Sequence, residues 1–388
     1  MLEYRLSDDT WGQEELDAIN RVIKSNRYSM GQEVMKFEKD FAQKIGSKFA
    51  VMSNSGSSAN LLAIAALVYS GRLSAGDEVI VPAVSWSTTY FPISQYNLKL
   101  KFVDIDRETL NMDVTQVEGA ITAKTKAIFC VNLLGNPNDY NQILALSEKY
   151  NLILLEDNCE SLGGRFSNKE LGTLGLLGTY STFYSHHICT MEGGVTVTDD
   201  EEIYHYLLCI RAHGWTRNLP VDSKIYTKNE DDFYESFNFI MPGYNLRPLE
   251  MEAAIGIEQL KKLDEIIIQR IENAKYFLKR IEEVKDVRPQ REIGQSSWFG
   301  FAMILCGNNI GKRHKVVDAL KRNGIEVRPI VAGNFTKNVA IKYMEYSIHN
   351  DLRNADHIHE NGFFIGNHSK ENKKQVDLVI NVLKRELG

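Results

Sequence analysis

The chain has 388 residues, 43% of them hydrophobic and 25% charged, with a formal net charge of −6. That length allows a large buried core, as one big unit with a smaller one or as two to three domains, and the composition is that of an ordinary globular protein. A mild acidic excess scattered among 45 Lys and Arg speaks against both a nucleic-acid surface and an anionic-membrane surface.

Residues 10–26 read as an amphipathic helix, with Leu16, Ile19, Val22 and Ile23 at helical spacing. Residues 34–45 read likewise, with Phe37, Phe41 and Ile45 on one face and Gly46 as the stop. A short strand at 48–52 runs into Ser53-Asn54-Ser55-Gly56-Ser57-Ser58, and 59–69 is helical. Strand and helix patterns then alternate. Strands are expected at 79–81, 100–103, 127–131 and 152–155, the last after a helix at 140–149. Repeated βα units of this kind imply a mostly parallel sheet covered by helices on both faces. Residues 179–184 and 195–198 read as further strands, and 201–213 as a helix.

Residues 216–241 are polar and aromatic without a clear period, which suggests a long loop or hairpin. A long helix at 249–281 follows. A strand at 297–306, a helix at 312–322, a strand at 325–330 and a helix at 375–386 then suggest a small α+β unit. The expected division is an α/β unit over 1–255 and a small unit over 256–388. The start, Glu3-Tyr4-Arg5, shows no secretory h-region, and no apolar run approaches a membrane span. Five cysteines, far apart and never in C-x-x-C, argue against a disulfide framework or a metal cluster and fit a reducing cytoplasm.

Candidate functional residues fall at strand ends, where open α/β sheets bind ligands. Gly56, Ser57 and Ser58 join a strand to a helix start, where free N–H groups and the helix dipole attract an anion. Taken alone, they read first as a Gly-Ser turn with an N-cap. Trp86 offers a flat aromatic platform or a piece of core. Asp157 is either a loop residue or the partner of a protonated ring nitrogen. Ser181 and Ser185 are candidate hydroxyl donors. His186 and His187 lack a third ligand at zinc spacing. In an extended segment only one of them would enter a given site.

The order and spacing of these features resemble the DegT/DnrJ/EryC1/StrS family of pyridoxal-phosphate sugar aminotransferases over nearly the whole length. The matching segments are Ser55 to Asn60, Glu156-Asp157, Ser181 to Gly194, Arg211 to Arg217 and Gly243 to Arg247. The resemblance implies a fold type I enzyme with pyridoxal or pyridoxamine phosphate, working as a homodimer with shared active sites. It implies that Gly56, Ser57, Ser58 and Ser181 hold the cofactor phosphate, which Asn245 reaches from the partner subunit. Trp86 would stack on the ring, Asp157 would pair with its nitrogen, and Glu160 would lie by its 3-hydroxyl. Ser185, His213 and Arg217 would contact substrate.

One position departs from the family. Its lysine stands six residues before the Glu of Glu-Gly-Gly, and counting back from Glu192 lands on His186. An imidazole forms no stable imine with the cofactor aldehyde, yet it still moves protons near neutral pH. The closest resemblance is to a branch that removes the C3 hydroxyl of a GDP-linked 4-keto-6-deoxy sugar, with glutamate as amino donor. His186 is then the catalytic base. The other readings are an aminotransferase or dehydratase for a different nucleotide sugar, or a non-catalytic sugar sensor.

Overall fold

The computed structural model describes residues 3–388 and is organised on one eight-stranded sheet. The first half of the chain lays down α1 (Gln13–Ser25), α2 (Gln32–Ile45), β1 (Phe49–Ser53), α3 (Gly56–Tyr69), β2 (Glu78–Pro82), α4 (Ser87–Gln95) and β3 (Lys99–Val103). Next come α5 (Val114–Ala120), β4 (Thr125–Val131), α6 (Tyr140–Tyr150) and β5 (Ile153–Asp157). A small hairpin, β6 (Arg165–Phe166) and β7 (Lys169–Glu170), precedes β8 (Leu177–Ser181), β9 (Gly194–Thr198) and α7 (Glu201–Arg211). The remainder holds α8 (Asp232–Glu235), α9 (Glu250–Ile281), β10 (Val287–Pro289), β11 (Gly300–Leu305) and α10 (Arg313–Arg322). It closes with β12 (Tyr346–Ile348), α11 (Arg353–Asn361), β13 (Gly362–Gly366) and α12 (Lys373–Leu387).

The large sheet has the order β1-β9-β8-β5-β4-β2-β3-β12, and β9 alone runs against the rest. The carboxyl ends of β1, β2, β4, β5 and β8 therefore share one edge. Strands β2, β4 and β5 are almost continuously buried, as expected where helices cover both faces. A second sheet, β10-β11-β13, carries α10 and α12. The fold is thus the α/β architecture that the repeated βα units imply.

Several expectations change in detail. Helix α1 buries Glu15, Ala18 and Val22, while Leu16 and Ile23 stay about half exposed. Glu15 can be buried because Gly12 N–H, Gln259 Nε2 and Lys262 Nζ each lie within 2.8 Å of its carboxylate. Residues 325–330 form no strand. Ile325 bridges to Tyr4 and Arg328 to Phe364, each in isolation, and Pro329 has no N–H to continue a ladder. The excursion over 216–241 contains only a single turn of 3₁₀ helix and the four-residue α8.

The expected division after residue 255 falls inside the second turn of α9. The first half of this 32-residue helix packs Ile257, Leu260 and Leu263 onto α2 and β9. Its second half stacks Phe277 on Phe301 of β11, ring centroids 4.4 Å apart. The two cores share one rigid helix. Tyr4, near the N-terminus, is buried in the small core and donates to the Gly366 carbonyl at 2.6 Å.

Candidate active site

The shared strand edge opens into a cavity of about 680 Å³. At the end of β1, Ser55 caps α3, its Oγ accepting from Ser58 N–H at 3.1 Å. The N–H groups of Gly56 and Ser57 come next at the helix start and have no acceptor among the described residues. Both residues line the cavity and present the positive end of a 14-residue helix to it. Gly56 is needed here: a Cβ would lie 2.6 Å from Cβ of Ser181, whose side chain forms the adjoining wall. Ser58 does not reach the wall, because its hydroxyl turns inward to Asn54 Oδ1 at 2.6 Å.

Asp157 ends β5 with its carboxylate held on both oxygens. Oδ2 accepts from Asn60 Nδ2 at 2.8 Å and Thr89 Oγ1 at 2.7 Å, and Oδ1 accepts from Cys159 N–H at 3.1 Å. Thr179 in turn donates to Asn60 Oδ1 at 2.6 Å, which sets the amide so that its NH₂ faces Asp157. Glu160, one turn on, accepts from Leu134 N–H at 2.9 Å. Burial raises its carboxyl to about 7, opposed by the Leu134 N–H and reinforced by the negative charge of Asp157. Trp86 follows β2 and shows its indole on the wall, 58% exposed.

Residues Phe183 to His186 close the cavity's inner side. The chain does not run extended here, as the adjacency argument assumed. His186 N–H bonds the Phe183 carbonyl at 2.9 Å, which closes a turn. The two imidazoles still part. His186 and Ser185 line the cavity, whereas His187 is fully buried and donates from Nε2 to the Ser297 carbonyl at 3.2 Å. Burial lowers His186 to about 4; the nearby Arg270 charge adds to this, and the Phe183 carbonyl works against it. The His186 imidazole is therefore neutral at pH 7.

Asn245, His213 and Arg217 do not line this cavity. Asn245 is exposed and accepts from Arg247 Nε at 3.0 Å. His213 has φ 67°, and Arg217 lies over the Trp215 ring at 5.1 Å. The surrounding excursion exposes Phe233 and Phe237 at 90% and 72%.

Other site residues escaped the sequence reading. Asn60 and Thr89 carry no mark of their service to Asp157 beyond a helical position. Phe299 and Arg328 arrive from more than 110 residues beyond His186, and Arg328 is the sole Lys or Arg on the described cavity wall. A lone Arg before Pro329 is the only sequence signal for it. The wall thus offers an anion cradle, a fixed carboxylate and an aromatic face, which suit a pyridine ring bearing a phosphate. No described wall residue is a lysine.

The profile of the DegT/DnrJ/EryC1/StrS aminotransferase family matches residues 9–384. GDP-4-keto-6-deoxy-D-mannose 3-dehydratase of Escherichia coli O55:H7 (strain CB9615 / EPEC) is 54% identical over 388 residues, spanning 99% of this chain and 100% of that protein. The crystal structure of GDP-4-keto-6-deoxymannose-3-dehydratase with a trapped PLP-glutamate geminal diamine matches with a TM-score of 0.96 at 54% identity. It covers 98% of this chain and 100% of that one. A histidine-to-asparagine variant of such a dehydratase, with bound GDP-perosamine, matches with the same TM-score, identity and coverage.

Proposed function

The chain belongs to the DegT/DnrJ/EryC1/StrS aminotransferase family, and on that footing we propose that it is a 3-dehydratase of GDP-4-keto-6-deoxy-D-mannose. Its product is GDP-4-keto-3,6-dideoxy-D-mannose, a precursor of a dideoxysugar such as colitose in lipopolysaccharide O-antigen. Glutamate is the co-substrate, and pyridoxal and pyridoxamine phosphate are the two cofactor forms. The reaction balances as one keto sugar and one glutamate giving one deoxygenated keto sugar, one 2-oxoglutarate and one ammonia.

When bound, the cofactor supplies an electron-withdrawing ring that stabilises negative charge beside its reacting carbon. The chain supplies the rest. Gly56 and Ser57 N–H groups and the Ser181 hydroxyl bind the phosphate, Trp86 covers one ring face, and Asp157 keeps the ring nitrogen protonated. Asp157 cannot turn away, because Asn60, Thr89 and the Cys159 N–H all hold it. His186 takes up a proton as a neutral base and then returns it to the departing C3 hydroxyl. One group thereby serves both transfers.

The observation that carries this reading is a neutral imidazole on a wall without lysine. The bound histidine variant among the similar structures supports it. Another similar structure of that dehydratase alters a serine-histidine pair, and Ser185-His186 is the only Ser-His in this sequence. Arg328 faces the cavity as the cation for a carboxylate or diphosphate.

The active unit in this reading is a cytoplasmic homodimer. The displacement of Asn245, His213 and Arg217 from their own cavity, on a segment rich in exposed aromatics, supports a site completed by a second copy. No described helix is long and apolar enough to cross a membrane. Product analysis with purified GDP-4-keto-6-deoxy-D-mannose, glutamate and cofactor tests the function. The dehydratase reading requires ammonia and 2-oxoglutarate in equal amounts, with no stable amino sugar. An amino sugar accumulating with background ammonia means a transaminase, and the absence of turnover means a sensor.

A further inference from the structure

Arg270 of α9 is 2% exposed, yet it forms no ion pair with a carboxylate among the described residues. Its Nη1 donates instead to the Phe299 carbonyl at 3.2 Å and the Trp298 carbonyl at 3.4 Å. The nearby Asp8 is engaged elsewhere, by the Ser369 N–H and hydroxyl. Burying a guanidinium with no carboxylate in direct contact is costly, and the backbone it holds is itself strained. Trp298 has φ 49° and Leu134 φ 53°, left-handed conformations that are strained in a residue with a side chain.

These strained residues are tied together. Phe299 N–H donates to the Leu134 carbonyl at 3.0 Å, and Leu134 N–H donates to Glu160. Asn367 Nδ2 bridges the carbonyls of Arg270 and Trp298 at 3.0 and 2.9 Å. The network presents the Phe299 ring to the site. Its centroid lies 5.2 Å from that of His186 and 5.7 Å from that of His187.

We propose that Arg270 is a positioning residue for His186. It holds through the Phe299 backbone the ring against which the imidazole rests, and it sets a fixed positive charge near that imidazole. The claim rests on the reading of His186 as the base. The other charged or titratable groups that share His186's cavity or loop are Tyr184, His187 and Glu192 on its own loop, Asp157, Cys159 and Glu160 after β5, and Glu326 and Arg328. Arg270 is the cation whose charge acts on this ring, and it favours the proton-accepting form of both histidines.

The test reads the imidazole itself, without substrate or cofactor. Hydrogen exchange at the imidazole C2 position is followed against pH, with peptide fragmentation separating His186 from His187. In Arg270→Met the His186 titration should rise by about one pH unit, the usual spread of histidines among protein environments. Arg270→Lys, which keeps the charge, should restore most of the wild-type titration. Arg270→Gln keeps an N–H for the carbonyls and loses the charge, so it should reproduce the rise if the Met variant does not fold. An unchanged titration in the uncharged variants, or a Lys variant shifted as far as Met, overturns the proposal. Phe299→Leu tests the ring separately. It should slow single-turnover dehydration at least about 10-fold, and an unchanged rate overturns that part. A failed turnover assay with the expected exchange shifts would count against the proposed function and leave the Arg270 relationship standing.

Discussion

His186 and His187 share a peptide bond and face opposite surroundings: one lines the cavity, and the other donates to the Ser297 carbonyl from full burial. His186→Asn should retain the cofactor, since Gly56, Ser57, Asp157 and Ser181 are untouched, and lose about 10²–10⁴-fold in dehydration rate. His187→Asn draws the donor away from Ser297 and should cost about 1–3 kcal/mol of stability, with a far smaller effect on rate. Stopped-flow turnover and thermal melts of the two variants check the ranking. Equal rate losses would mean that the base is misassigned.

Cofactor attachment is the second expectation. With no lysine on the described wall, borohydride treatment of the pyridoxal phosphate complex should leave the intact protein mass unchanged after unfolding. A mass gain of one reduced cofactor, mapped to a lysine, would contradict the site described here.

The third concerns Glu160, whose carboxyl burial raises from 4.5 to about 7. A raised folded-state value means that ionisation opposes folding. That cost is absent below about pH 4.5 and complete above about pH 7. Glu160→Gln keeps an oxygen for the Leu134 N–H, and so should stabilise the cofactor-free chain by up to about 3 kcal/mol at pH 8 and by little at pH 4.5. His186 contributes the opposite slope, with stability lost as pH falls from about 6.5 toward 4, but equally in both proteins. Urea melts at the two pH values measure the difference, and a gain that does not depend on pH would refute it.

The fourth concerns assembly. Phe237 is 72% exposed, stacked 5.4 Å from Trp215 on the segment that carries His213 and Arg217. Sedimentation should give twice the chain mass. Phe237→Glu should weaken that dimer and, with it, cofactor affinity, because Asn245 would no longer complete the phosphate site from the partner subunit. A wild-type monomer with full activity would rule out the shared-site arrangement.

The sequence by itself determined the α/β class, and it marked Gly56, Ser57, Trp86, Asp157, Glu160, Ser181, Ser185 and His186, which the fold brings to one cavity. Most of these residues are legible because they sit at or just past the end of a short strand-like run, and their order matches the family the chain resembles. The end of such a run is a local property of the chain, and a parallel sheet gathers those ends on one edge. Histidine in the lysine position was equally local, being a matter of counting six residues from Glu192.

Only the tertiary structure decided what holds those residues in place. Asn60 reaches Asp157 across 97 positions, and Phe299 backs His186 from a segment that read as plain strand. Burial of Glu15 turned α1 away from its apparent apolar face. Arg270, deep in a helix that looked merely long and apolar, ties down the segment that backs His186. These relationships depend on distances between segments far apart in the chain and on how packing desolvates each charge, and neither is written in the periodicity of one segment.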